Sequence, residues 1–199
     1  MDPRVDEVIA FWFGVEHVPS QAVTRRWFTR NPELDAEIRR RFGYLLDELD
    51  RLAETWRGTP RSELALIVVA DQFPRNLFRD DPRAYAHDPL GLSVARELLL
   101  SDGARMLGFH QRMVALLPFQ HSEDLETQRE GLAAFTTLLD EARAKGTANL
   151  EMLEGGVDFA KQHAAIIERF GRFPHRNAIL GRKSTPEELA FLAQPGSRF

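Results

Sequence analysis

Between Arg169 and Pro186 the chain carries five Lys or Arg residues, one His and no Asp or Glu, inside a protein of net charge −4. Arginine presents its donors as a planar fork that suits carboxylate or phosphate, so this inversion of sign points to anion chemistry at Arg169, Arg172, Arg176 and the adjoining Asn177. A similar phrase stands about 100 residues earlier: Phe73-Pro-Arg-Asn76 against Phe173-Pro-His-Arg-Asn177. Asp71 lies just before the earlier phrase and continues the apolar face of Ile67 and Val68, which predicts a buried carboxylate with Arg75 as its nearest partner. The pair is either a substrate clamp or an internal ion pair tying a helix end to a loop. His121, beside Ser122 and Glu123, is a candidate general acid or base if a carboxylate orients it, and a helix-start contact otherwise. His175 is the second acid/base candidate.

Phe159, Ile166 and Phe170 form one face with His163, which reads as a core histidine or a ligand-binding one. His121, Glu123 and His163 have the residue types of a two-His, one-carboxylate metal site, but no H-E-x-x-H spacing supports it and no metal is assigned. No serine stands in a G-x-S-x-G elbow. The chain has no Cys, which excludes disulfides, Cys-ligated zinc, iron–sulfur clusters and thiol nucleophiles.

Helices are the elements that must hold these groups. Asp2-Pro3, Asn31-Pro32, Thr59-Pro60, Asp81-Pro82, Asp88-Pro89 and Thr185-Pro186 each set a capping residue before a proline, the signature of a helix start. Gly14 ends the first helix, and a loop through Pro19 follows. Leu34, Ile38, Phe42, Leu45, Leu49, Leu52 and Trp56 recur at steps of three and four, predicting one helix of about six turns. Leu64–Ala70 is apolar on every face and reads as a buried helix, with a buried strand as the alternative. Leu116-Leu-Pro118 predicts the stop of a short helix. Ser122 is expected to cap the next, with Glu123 and Asp124 in its first turn. A last long helix is expected from about Ala148 to Phe170, with Gly155-Gly156 as its weak point. No segment alternates like a strand, so the expected fold is all-α: one domain over residues 1–199, built of stacked antiparallel helix pairs.

Asp71-Gln-Phe-Pro-Arg-Asn76, Pro118-Phe-Gln-His-Ser-Glu-Asp124 and His163 leading into Arg169–Asn177 occur together with Phe11-Trp-Phe-Gly14 and Ser184-Thr-Pro-Glu-Glu188. With these phrases the chain resembles, from end to end, the bacterial domain-of-unknown-function 924 family. It departs at Gln120, where an apolar residue is expected. The resemblance implies an all-helical fold similar to tetratricopeptide-repeat proteins, and it implies no activity and no known cofactor.

Two functions follow from the residues. The first is a helical-stack binding protein whose polar cleft takes an acidic peptide or a small anion. The second is a hydrolase or lyase acting on a phosphorylated or carboxylated metabolite, with His121 and His175 as acid/base groups and Arg172 and Arg176 as the anion clamp. In either case affinity is expected to fall as pH rises past about 6.5. The mild acidity argues against nucleic acid as a partner, no apolar run approaches the ~20 residues of a membrane span, and a cytoplasmic location is expected.

Overall fold

Five of the helix starts work as their sequences imply. Asp2, Asn31, Thr59, Asp81 and Thr185 each accept a backbone N–H from two or three residues on, and a proline occupies the first turn every time. Such a cap contributes about 1 kcal/mol, and the proline costs nothing where its missing N–H would have had no partner. Thr185 and Glu188 complete a reciprocal capping box.

The computed structural model describes residues 2–14, 21–147 and 150–197. The loop expected through Pro19 and the helix start expected at Ala148 lie outside them. In order the helices are α1 (Pro3–Phe13), α2 (Gln21–Phe28), α3 (Pro32–Phe42), α4 (Leu49–Thr55), α5 (Pro60–Ile67), α6 (Phe73–Leu77), α7 (Asp88–Leu100), α8 (Phe109–His121), α9 (Leu125–Ala144), α10 (Leu150–Phe170) and α11 (Pro186–Leu192). The fold is all-helical, with no strand among the described residues, and forms one compact domain. No described helix is long and apolar enough to cross a membrane.

α5 is the axis of the core. Every residue from Leu64 to Ala70 is fully buried, as the uniformly apolar run requires, and α1, α7 and α8 pack around it. At its far end Phe73 stacks on Phe42 at 5.3 Å between ring centres, with Phe11 and Trp12 edge-on to Phe73. Beyond α7, helices α8, α9 and α10 pack side by side.

Three local expectations are corrected. The stripe from Leu34 to Trp56 is buried throughout, but it is α3, a 3₁₀ turn at Gly43–Leu45 and α4, not one helix. Turns of 3.0 and 3.6 residues both keep such spacings on one face, so periodicity does not separate a straight helix from a bent one. Pro118 lies inside α8 and does not end it. Residues 113 to 120 are all buried, and that packing outweighs the ~3 kcal/mol a helical proline costs. Asp124, not Ser122, caps α9: its Oδ1 accepts the Thr127 N–H at 2.8 Å, while Ser122 terminates α8. The Gly155-Gly156 pair leaves α10 continuous.

Candidate functional site

Asp71 is placed by a change of helical pitch. Val68–Gln72 is π-helical, and the Phe73 N–H donates to the Val68 carbonyl five residues back. The wider turn makes room for Pro74, which has no N–H to give, and carries the chain on into α6. Asp71 thereby faces α7 and α8. Gly91 of α7 lets it do so, since a Cβ there would sit 3.2 Å from the Asp71 Cβ.

The Asp71 carboxylate is fully buried. Its Oδ2 accepts from Gln72 Nε2 at 2.6 Å, and its Oδ1 accepts from His121 Nδ1 at 2.7 Å, with Arg75 Nη1 at 3.2 Å. Burial alone would raise this carboxyl; the Arg75 charge and the hydrogen bonds from His121 and Gln72 outweigh it and bring it down to about 2. An ionised carboxylate only accepts, so His121 carries its proton on Nδ1 and Nε2 is left as the acceptor. Burial, together with the Arg75 charge, lowers the His121 pKa even against the pull of Asp71. His121 is thus neutral at pH 7, and the pH dependence expected near 6.5 does not fall on it.

Behind this pair runs a guanidinium relay. Arg75 grips Asp88 with a two-pronged fork at 2.8 and 2.9 Å and also donates to the Asp71 carbonyl at 2.7 Å. Asp88, expected as a cap, is the first residue of α7 and is taken by Arg75 instead. Arg176, only 6% exposed, donates to the His121 carbonyl at 3.0 Å and lies 3.7 Å from Asp88. Its guanidinium sits 4.5 Å from the ring centres of both Tyr85 and Phe173. Its Nε has no acceptor among the described residues.

These groups border a cavity of about 280 Å³. Arg30, Arg75, Arg79 and Arg176 line it, with His121, His163 and His175; Asp80 is the acid on its wall. Asp71, Asp88 and Asp35, the last gripped by Arg79 at 2.7 and 2.9 Å, stand behind the arginines and outside the lining. The site is layered, with cationic donors inward and carboxylates outward. His163 donates through Nδ1 to the Phe159 carbonyl at 2.8 Å, and burial, with the nearby charge of Arg176, depresses it to about 4.

The remaining sequence candidates lie elsewhere. Arg169 pairs with Glu187 at 2.9 Å. Arg172 forks onto the buried Glu188 at 2.7 and 2.9 Å, and its hydrogen bonds hold that carboxyl down to about 2. Asn177, fully buried, donates to Ser184 and Glu188. Glu123 accepts from Arg182 and from the Phe173 N–H. Arg169, Arg172, Asn177 and Glu123 do not line this cavity. The adjoining α11 acids absorb Arg169 and Arg172, Glu123 absorbs Arg182, and of the cations in the basic run only Arg176 lines the cavity. With Glu123 so held, the two-His, one-carboxylate grouping does not assemble. Sequence reasoning missed Arg30, Arg79, Tyr85 and Asp88. Only Asp88 carried any signal, and that signal read as a cap.

Residues 8–196 match the family described as bacterial protein of unknown function, DUF924. A solved structure titled as a protein of unknown function, ATU0120 from Agrobacterium tumefaciens, is similar at 32% identity, with a TM-score of 0.73 over 96% of this chain and 97% of that one. Among curated proteins nothing matches the chain. The helical fold and the match across nearly the whole length make this chain a member of the DUF924 family of bacterial proteins.

Proposed function

We propose that this chain is a binding protein for a small anionic ligand, held in the cavity bordered by Arg75, Arg176 and His121. The observation that carries this reading is Arg176. A guanidinium is costly to bury without a counter-charge, and this one lines the cavity between the Tyr85 and Phe173 rings, 3.7 Å from an Asp88 that Arg75 already grips. A phosphate or carboxylate in the cavity supplies that counter-charge. The layering of donors over carboxylates supports the same conclusion, because an anion meets four arginines before it meets Asp71, Asp88 or Asp35. A cavity of this size suits a small molecule better than an acidic peptide. In this reading the protein is a cytoplasmic helical stack similar to tetratricopeptide-repeat proteins, with neither nucleic acid nor membrane as partner. The side-by-side packing of α8, α9 and α10, with only residues 122 to 124 between α8 and α9, supports the helical stack.

Titration calorimetry with inorganic phosphate and with succinate tests this on the parent, Arg176→Gln and Arg172→Gln. A charge-assisted hydrogen bond contributes about 1.5–3 kcal/mol, so Arg176→Gln should weaken binding tenfold or more. Arg172→Gln should leave it unchanged. Equal affinity in all three proteins, or no binding to any of them, refutes the proposal.

The Asp71–His121 pair favours a second reading, an enzyme that hydrolyses an ester of the bound anion. Asp71 fixes the tautomer in which Nε2 takes a proton from an attacking water. The water oxygen bonds to the phosphorus or carbonyl carbon, the ester bond breaks, and His121 returns the proton to the leaving oxygen. Turnover of phosphate or carboxylate esters by the parent and its loss in His121→Gln would establish this reading. A panel with no turnover would leave binding alone.

A further inference from the structure

The cationic cavity does not end at its arginines. A second cavity of about 710 Å³ shares Arg30, Arg75, Arg79, His121 and His163 with it, so the two are ends of one cleft. The far end changes character. Trp27, Met113, Leu117, Phe135, Met152 and Phe159 form its walls, and Phe159 remains 47% exposed. Among the described residues, the charged ones on this larger cavity are Arg30, Arg75 and Arg79, all of them shared with the basic end.

The floor carries a second, independent sign. Gly155 and Gly156 lie inside the 21-residue α10, where each glycine costs about 0.5–1 kcal/mol relative to alanine. Gly156 has a packing reason, because a Cβ there would meet the Phe135 ring at 3.1 Å. Gly155 has none: a Cβ there would meet nothing within 4 Å, and its φ is not in the left-handed region. What Gly155 borders is the open cavity, which any side chain would narrow.

From the joined cavities and the bare floor at Gly155 we infer that the ligand is an amphiphilic anion. Its acidic head, phosphate or carboxylate, lies against Arg176, and its apolar body lies along α10 between Met152 and Phe159. This rests on the anion reading above and adds the chemical class of the ligand. The 710 Å³ end is within the range of small-molecule sites and exceeds what a bare oxyanion needs. Burying apolar surface there adds affinity to that of the charged head.

The test is calorimetric titration of an alkyl phosphate series, ethyl through octyl, and the matching alkyl carboxylates, with the corresponding alkanols as headless controls. In the parent, each methylene should tighten binding about fourfold, the fold-change for ~0.8 kcal/mol per buried CH₂, until the cavity is filled. Gly155→Leu, placed in open space on a helix it should stabilise, should bind inorganic phosphate as the parent does and lose the gain with length. Phe159→Gln is the second variant, at an exposed site, and should flatten the slope on its own. The phosphate and carboxylate arms report which head is preferred. Phosphate binding that depends on Arg176 but shows no gain with chain length overturns this inference and leaves the anion reading standing. If no anion binds, or if alkanols bind as tightly as alkyl phosphates, both readings fall. A length dependence that survives in Gly155→Leu and Phe159→Gln alike also overturns it, because the tail then lies elsewhere.

Discussion

Replacing Asp71 by alanine tests the centre of the site. The carboxylate is fully buried and accepts from Gln72 Nε2 at 2.6 Å and from His121 Nδ1 at 2.7 Å. Alanine leaves both donors without an acceptor, at about 1–3 kcal/mol for each buried group. Arg75 is not stranded, because its fork onto Asp88 survives, so the larger penalty of an unpaired buried guanidinium does not apply. The expected loss is therefore about 4 kcal/mol. At roughly 2–4 °C per kcal/mol for a chain of this size, the melting temperature should fall by roughly 8–16 °C. The Arg75 charge holds the folded pKa below 3.8, at about 2, so ionised Asp71 contributes stability that is present above pH 4 and is lost as pH falls toward 2. Urea unfolding at pH 7 with a thermal melt measures the effect, and Asp71→Ala/His121→Ala completes a double-mutant cycle. A variant melting within 2 °C of the parent, or a cycle showing no coupling between Asp71 and His121, would refute the reasoning.

Two further outcomes follow from the packing. His163 has its pKa lowered from 6.5 to about 4, so the fold favours its neutral form; stability should be complete above pH 6.5 and fall by about 3 kcal/mol as pH drops toward 4. Urea midpoints at pH 7 and pH 4.5 should show that loss in the parent and much less of it in His163→Asn, whose amide can still donate to Phe159. Gly131→Ala sets a Cβ 2.5 Å from the Phe119 Cβ, where α8 and α9 approach. Overpacking of about 1–3 kcal/mol should exceed the gain in helix propensity, and a urea midpoint equal to or above the parent's would contradict it.

The all-α fold was legible because its signals are local. A cap such as Thr59 or Thr185 closes on an N–H three residues on, and an apolar run such as Leu64–Ala70 declares its own burial. The burial of Asp71 was legible for the same reason, through its place on the face of Ile67 and Val68. Legibility ended where one segment had to be matched with another. Asp71 meets His121 across 50 positions and Arg176 meets the His121 carbonyl across 55. Arg172 and Arg176 carry the same side chain four residues apart, yet one goes to Glu188 and the other into the cavity.

Composition could show that five cations needed acids or an anion, but electrostatics is satisfied by any neighbour of the right sign. Glu123, Glu187 and Glu188 were equally available in sequence to all of them. Continuity also went unread: the π-helical register at Val68–Gln72 and the passage of α8 through Pro118 are settled by burial against α7 and α9, which outweighs local preference. The sequence by itself determined which segments are helical and that cations outnumber acids near residue 176. Only the tertiary structure decided which arginine faces the cavity, because pairing among like charges is set by distance in space, and the chain order does not contain it.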